Sequence, residues 1–242
     1  MKEIEIIYED ENFVAVNKPA GLLVHSIKVR DKGSEIKKGE LTLVDWIIEK
    51  YPDIKKVGDD PEMRPGIVHR LDKNTSGVII IAKNQEYFDY LKKFFQTHEM
   101  KKIYFALVYG RVKENKGVIE KPISLKADSI KRTVWDGKMT KEAITEYKVL
   151  KRFLKDNSEF TLLQAEPKTG RTHQIRIHFS SIGHPIVGDS LYGPKENLFG
   201  LHRQFLHAHS LEFSKSNGQR IKIEADLPEE LSAIIDTLKK NV

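Results

Sequence analysis

Asp72 is the residue in this sequence whose neighbours best suit chemistry at a carboxylate. It lies in the polar segment Gly66-Ile-Val-His-Arg-Leu-Asp-Lys-Asn-Thr-Ser-Gly77, which leads directly into an aliphatic run. Arg70 precedes it by two positions and hydroxyl side chains follow it, so hydrogen-bond donors surround the carboxylate. Donors and a nearby guanidinium favour the ionised acid, the form that acts as a nucleophile or a base. The alternative is a structural Asx-turn in which Asp72 bonds only the backbone near Asn74.

A second polar cluster is the segment Lys168-Thr-Gly-Arg-Thr-His-Gln-Ile-Arg-Ile-His178. Ile175, Ile177 and Phe179 occupy alternate positions, a pattern that is also typical of a strand. We predict a helix over residues 172–181 instead, because Thr172 can cap its start and a following Gly-His-Pro sequence ends it. Such a helix carries Arg176 into a position where its guanidinium can pair with a carboxylate through two parallel hydrogen bonds.

The remaining signals for chemistry are weak. Taken singly, His173 and His178 are typical of structural histidines. His202, His207 and His209 are close together in the sequence, but their spacing matches no metal-binding pattern, and we predict no metal. The chain has no cysteine, no P-loop, no GxGxxG and no GxSxG motif. We therefore expect cofactor-free chemistry that depends on carboxylate, tyrosine, histidine and arginine.

The composition is that of an ordinary globular protein, and its basic balance leans towards an anionic partner. The chain has 242 residues, a formal net charge of +6 and 39% hydrophobic residues. No apolar run approaches the roughly 20 residues that cross a bilayer, so we expect no membrane association and a cytoplasmic location. A modest positive excess favours nucleic acid as the partner.

The elements that must position these residues are mostly strands. Short runs of alternating or aliphatic residues, separated by turn residues, recur along the chain. We predict strands at Ile4 to Tyr8, Phe13 to Asn17, Val78 to Ala82, Lys102 to Gly110, Gly117 to Glu120, Ala143 to Leu150, Phe160 to Glu166, Ala208 to Phe213 and Arg220 to Ala225. Many strands without regular alternation with helices indicate an α+β fold with a mixed, largely antiparallel sheet and flanking helices.

Three further helices are predicted from capping residues and apolar spacing. Thr42 caps a helix that ends before Pro52, Asn84 caps an aromatic-rich helix, and the segment Pro228 to Lys239 has one apolar face. Residues 29–40 are polar and aperiodic, so we predict a surface loop there. We find no linker that divides the chain, and we expect one domain over residues 1–242.

Several segments resemble the RluA-type RNA pseudouridine synthases. The segment 66–77 is similar to the catalytic motif of that family, and other matching segments follow one order along nearly the whole chain. They are Glu9-Asp-Glu-Asn-Phe-Val-Ala-Val-Asn-Lys-Pro-Ala-Gly-Leu22, Lys101-Lys-Ile-Tyr-Phe-Ala-Leu-Val-Tyr-Gly110, Gly170-Arg-Thr-His-Gln-Ile-Arg-Ile-His178, Gly183-His-Pro-Ile-Val-Gly-Asp189 and Arg203-Gln-Phe-Leu-His-Ala208.

The resemblance implies roles for individual residues. Asp72 matches the essential aspartate of the family, Tyr104 its active-site tyrosine and Arg176 the arginine that pairs with the aspartate. Arg70 matches the arginine that enters the RNA stack when the target uridine is flipped out. Four neighbours are expected to contact the RNA as well. They are His69, Thr75, Arg171 and His173.

The resemblance also implies a fold, a substrate and a mode of RNA binding. The fold is a sheet with a central active-site cleft, and the substrate is ribosomal or transfer RNA. Many relatives carry an N-terminal S4 RNA-binding module, whereas here the catalytic domain begins near Met1, so we expect no S4 domain. We also expect the protein to act as a monomer. Residues 121–152 contain nine Lys or Arg against four Asp or Glu, with Trp135 among them. This basic segment is either an RNA contact or a solvated face.

Pseudouridine formation is an isomerisation and needs no cofactor. The bond from N1 to C1′ breaks, the uracil turns, and C5 bonds to C1′. Asp72 either attacks C1′, removes a sugar proton or adds to C6 of the ring, and the sequence does not choose among these. The alternatives in function are a catalytically silent RNA-binding protein on the same scaffold and, less favoured, a hydrolase that releases uracil.

Overall fold

A computed structural model of the protein describes residues 4–26, 41–125, 132–134, 137–195 and 198–240. The loop predicted at 29–40 and Trp135 lie outside these ranges. The chain divides into two compact units. The first unit is Met1–Met100 with Phe213–Ala225, and the second unit is Lys101–Glu212 with Asp226–Val242. Within the described residues, no helix is both long and apolar enough to cross a membrane.

The described elements are twelve strands, four α-helices and one short 3₁₀ helix at Pro52–Lys56. The strands are β1 (Glu5–Glu9), β2 (Phe13–Lys18), β3 (Ser76–Ala82), β4 (Lys101–Tyr109), β5 (Lys116–Glu120), β6 (Ile123–Leu125), β7 (Arg132–Thr133), β8 (Lys138–Lys141), β9 (Ile144–Lys155), β10 (Ser158–Pro167), β11 (Leu206–Ser214) and β12 (Arg220–Glu224). The helices are α1 (Leu43–Lys50), α2 (Gln85–Gln96), α3 (Gln174–Ser181) and α4 (Glu229–Lys239).

The first unit is built on the antiparallel strands β1, β2 and β3. Every residue of β3 is buried, including the predicted aliphatic run Val78 to Ala82. Helix α2 packs its apolar face on this sheet, and the ring of Tyr87 stacks on Phe13 at 5.4 Å. The last pair of the β2–β3 register joins Lys18 to Gly77, so the end of β2 lies beside the end of the Asp72 segment.

The second unit contains the antiparallel strands β11, β4, β10, β9 and β5 in that order. Helices α3 and α4 complete its core, to which Ile175, Phe179 and Leu231 contribute buried side chains. The combination of helices with a largely antiparallel sheet confirms the predicted α+β class. A separate three-stranded sheet of β7, β6 and β8 occupies part of the basic segment, and the sequence did not predict it.

The predicted helix of the second polar cluster is confirmed as α3, but its predicted cap is wrong. Thr172 does not cap the helix. The N-cap is His173, which adopts the left-handed conformation with φ of 57° and makes no side-chain cap hydrogen bond. The backbone N–H of Arg171 donates instead to the side chain of Gln174 at 3.0 Å. The caps Thr42 and Asn84 are confirmed, and Thr42 forms a full capping box with Asp45.

Candidate active site

The Asp72 segment is fastened to the first unit through its main chain. Lys18 is fully buried, and its ammonium donates to the backbone carbonyls of Pro19 at 2.8 Å, Leu22 at 2.9 Å and Lys73 at 3.1 Å. The N–H of Gly21 donates to the same Lys73 carbonyl at 2.9 Å. A buried ammonium satisfied by carbonyl oxygens therefore fixes the peptide that follows the half-buried Asp72.

A tight turn fixes the backbone carbonyl of Asp72. The N–H of Thr75 donates to the backbone carbonyl of Asp72 at 3.0 Å, and the Thr75 side chain is buried. Gly66, at the start of the segment, has φ of +69°, and a Cβ there would lie 2.4 Å from the carbonyl oxygen of Ala82. Only glycine permits this close approach of the segment to the end of β3.

The other two predicted RNA contacts of this segment differ in their surroundings. His69 Nε2 accepts a hydrogen bond from the N–H of Ile80 at 3.0 Å, and its ring stacks on Phe95 at 4.5 Å. This histidine joins the segment to the sheet, a structural role that the sequence did not predict. Arg70 is exposed, and its Nη1 lies 3.3 Å from Nε2 of His25.

Arg176 lies on α3 in the second unit and is held by Asp189. Its Nε and Nη2 donate to the two carboxylate oxygens of Asp189 at 2.7 and 2.8 Å, and both side chains are almost fully buried. The guanidinium also lies 5.2 Å from the ring centre of Tyr192. The sequence predicted a bidentate carboxylate partner for Arg176, and within the second unit that partner is Asp189. The pairing of Arg176 with Asp72 stays a prediction.

Asp189 is a site residue that the sequence analysis quoted in a segment but gave no role. Its Oδ1 also accepts from the N–H groups of Leu191 and Tyr192. The preceding Gly188 has φ of +74°, and a Cβ there would lie 2.1 Å from the carbonyl oxygen of Arg203. The Gly-Asp pair was therefore the available signal, because a glycine that permits close backbone contact can place the following acid in the interior.

A buried polar network orients the rest of α3. Gln174 donates through Nε2 to the Ile144 carbonyl at 2.9 Å and to Thr145 Oγ1 at 3.1 Å, while its Oε1 accepts from the Thr169 hydroxyl at 2.7 Å. His178 is fully buried and lies 2.9 Å from the same Thr145 hydroxyl. The hydroxyl thus links two successive turns of the helix.

The partners of His178 determine its protonation state. Nε2 lies 3.0 Å from the Lys121 carbonyl and so carries the proton, which leaves Nδ1 to accept from Thr145. Burial lowers the pKa of His178 from its ordinary value of 6.5. The imidazole is therefore neutral near pH 7 and serves the network as one donor and one acceptor, as its structural interpretation predicted.

The remaining predicted residues of the second unit surround this helix. Arg171 donates through Nε to the Glu142 carbonyl at 2.9 Å, and His173 Nδ1 lies 2.9 Å from the Tyr192 hydroxyl. Tyr104 lies in β4 opposite Ala165 of β10 and packs partly buried against the second unit's core. The structure thus brings His173 and Arg176 together around one tyrosine, Tyr192.

The basic segment divides into structural and exposed cations. Arg152 donates to the carbonyls of Val112 and Lys113 at 2.8 Å each, so it holds a loop in place. Other lysines on β8 and β9 are exposed to solvent. They are Lys138, Lys141, Lys148 and Lys151. Among the described ranges, no group of three or more metal-ligating side chains occurs.

Comparison with known proteins identifies the family. The family model described as RNA pseudouridylate synthase matches residues 12–181. The chain belongs to the RNA pseudouridylate synthase family. Its members are RNA-modifying isomerases, and the RluA-type resemblance is confirmed.

The relatives match over almost the whole chain. An uncharacterized RNA pseudouridine synthase of Aquifex aeolicus is 41% identical over 98% of this chain and 74% of its own length. The ribosomal large subunit pseudouridine synthase D of Pseudomonas aeruginosa is 36% identical over 99% of this chain and 73% of its own length. The solved structure of human RNA Pseudouridylate Synthase Domain Containing 4 is 25% identical, covers 97% of this chain and 93% of its own, and has a TM-score of 0.73.

Proposed function

We propose that this pseudouridine synthase modifies uridine in large-subunit ribosomal RNA and uses Asp72 as its catalytic carboxylate. The observation that carries the proposal is the family match over residues 12–181, which includes Asp72, Tyr104 and Arg176. The RNA class is supported by relatives named ribosomal large subunit pseudouridine synthase D and C, which are 36% and 34% identical. Transfer RNA is the alternative substrate.

In the proposed reaction, Asp72 meets the positive charge that develops on the sugar as the bond from N1 to C1′ breaks. A carboxylate stabilises an oxocarbenium-like centre, as in glycoside hydrolysis. The uracil then turns, C5 bonds to C1′, the C5 proton leaves and N1 gains a proton, so no electrons are exchanged. Attack at C1′, proton removal from the sugar and addition to C6 remain three routes for Asp72.

Arg176 and Tyr104 support that chemistry. Arg176 supplies the countercharge for Asp72, and its rigid attachment to Asp189 suits a group that must keep one orientation. Tyr104 stacks on the uracil and relays the C5 proton late in the reaction. Arg70 is exposed and can insert into the RNA stack, which offsets the few kcal/mol of unstacking that base flipping requires.

Further predictions from the sequence belong to this proposal. Exposed lysines of the basic segment contact phosphates, and the chain acts as one catalytic domain and as a monomer. His69 and Thr75 then shape the RNA-binding segment around Asp72, and Arg171 and His173 do so around Arg176. The cytoplasmic location stays a prediction.

The proposal is tested on RNA that carries no modifications. Purified protein is incubated separately with large-subunit ribosomal RNA and with transfer RNA, both transcribed in vitro, and pseudouridine is mapped at single positions. We expect product in ribosomal RNA, and we expect the Asp72→Asn variant to bind that RNA while its rate falls about 10⁴-fold or more. Asp60→Asn, a change at an exposed aspartate of the same unit, is the matched control.

Each outcome is informative. Product formed by Asp72→Asn at the wild-type rate would refute the role of the carboxylate. Product in transfer RNA alone would refute the substrate class. RNA binding without product from either protein would favour the silent binding protein, and released uracil would favour the hydrolase.

A further inference from the structure

Lys102 is a buried cation that the proposed mechanism does not use. It lies on β4, only 6% of its surface is exposed, and within the described ranges it forms no ion pair and no side-chain hydrogen bond. Burying a lysine without a partner is unfavourable, because the ammonium loses its hydration and gains nothing in exchange. Such a residue suggests a partner that lies outside the residues described by the structure.

The position of Lys102 relates it to the predicted catalytic tyrosine. Side chains two residues apart on a strand point to the same face, and their Cα atoms are about 7 Å apart. Lys102 therefore shares a face of β4 with Tyr104. The adjacent Lys101 points to the opposite face, is exposed, and pairs with Glu212 at 3.6 Å.

The charges around Lys102 do not neutralise its ammonium. From β10 and the turn that follows, Lys168 and Arg171 repel its ammonium and Glu166 attracts it. From β11 its register partner is the apolar Leu211. Glu166 is already engaged, because Lys168 forms ion pairs with both Glu166 and Glu146.

This environment also makes the charge of Lys102 sensitive to pH. Burial, followed by repulsion from Lys168, lowers the pKa of Lys102 to about 8. An anion bound beside the ammonium would favour its charged form and raise that pKa again.

We propose that Lys102 binds a backbone phosphate of the RNA next to the nucleotide that stacks on Tyr104. The inference rests on the proposed function, since RNA brings one phosphate with every nucleotide. A phosphate is the anion that arrives with the substrate, and it supplies a partner that the buried ammonium does not find among the described residues. Arg171, on the adjacent turn, adds a second positive charge for the same phosphate.

The test measures RNA affinity as a function of pH and salt. Wild type, Lys102→Gln, Lys102→Arg and the matched control Lys101→Gln are titrated by filter binding against unmodified large-subunit ribosomal RNA from pH 6.5 to pH 9. Between these limits a lysine with a pKa of about 8 loses most of its charge. From pH 6.5 to pH 9 we expect the affinity of wild type and of Lys101→Gln to fall about tenfold more than that of Lys102→Arg, whose side chain stays charged.

Lys102→Gln should bind weakly at pH 6.5 and show no such dependence. Its slope of log affinity against log salt concentration should be shallower by about 0.7 to 0.9, as expected for one lost phosphate contact. A purely structural role would not change this slope. Parallel pH curves for wild type and Lys102→Arg would overturn the proposal, and that comparison holds even if Lys102→Gln fails to fold.

Pseudouridine formation is measured on the same wild-type samples, so the two proposals fail separately. Product with a pH-independent affinity would overturn the phosphate contact alone. A pH-dependent affinity that Lys102→Arg abolishes, without any product, would overturn the proposed function and support the contact.

Discussion

The Asp72 segment in the first unit and helix α3 in the second are held by different kinds of interaction. Around Asp72 the anchors reach the main chain, since Lys18 and Gly21 both donate to the Lys73 carbonyl. Around Arg176 the anchors are side chains that bond one another, led by the buried pair with Asp189. A main-chain anchor depends on backbone position, whereas a side-chain network depends on the identity of each residue.

This difference predicts where each segment tolerates change. The Asp72 segment should tolerate replacement of side chains that are not themselves anchors, provided that its backbone keeps its path. Helix α3 should be sensitive at each member of its network, because losing one partner leaves another buried polar group unsatisfied.

The largest effect is expected from Asp189→Asn. Breaking a buried ion pair on one side leaves the Arg176 charge uncompensated and typically costs about 3 to 5 kcal/mol of the free energy of unfolding. The matched control is Asp59→Asn, because Asp59 pairs with Lys92 at 2.8 Å and both of these side chains are partly exposed. Urea unfolding measures both variants, and equal losses would contradict the importance assigned to the buried pair.

A smaller loss is expected from Lys18→Met, which keeps the apolar stem and removes the ammonium. Three backbone carbonyls would each lose a charged donor. We expect a loss of about 2 to 3 kcal/mol, together with a slower reaction because the Lys73 peptide is no longer fixed beside Asp72. Lys83→Met, at a partly exposed lysine paired with Glu9, should change unfolding by less than about 1 kcal/mol. A wild-type rate in Lys18→Met would show that the main-chain anchor does not position the segment.

The smallest effect is expected from pH at His178. Its pKa in the folded protein is below 6.5, so the unfolded chain binds the proton more readily, and stability falls as pH drops below about 6.5. The contribution is at most about 1.4 kcal/mol per pH unit. Thermal unfolding from pH 7.5 to pH 5 should therefore show a shallower dependence for His178→Gln than for wild type, and identical slopes would exclude His178 as the cause.

Local sequence patterns predicted most of the elements and two of the helix caps. Thr42 and Asn84 act within a few residues of their own position, and β3 contains the aliphatic run Val78 to Ala82, so these features can be read from the local sequence. The sequence-based predictions failed where residues far apart in the chain determine the local structure. Thr172 does not cap α3, because the side chain of Gln174 accepts the hydrogen bond from the turn before the helix. Gln174 is itself held by hydrogen bonds to Ile144 and Thr145.

The ordered motifs by themselves determined the family and the candidate catalytic residues, because the chemistry of a uridine isomerase restricts residue type and order near the reacting groups. Tertiary structure alone decided which groups hold those residues in place. Asp189 and Lys18 become partners of Arg176 and Lys73 only after strands and turns far apart in sequence have packed together. Burial then gives those hydrogen bonds their strength, and burial is a property of the folded chain.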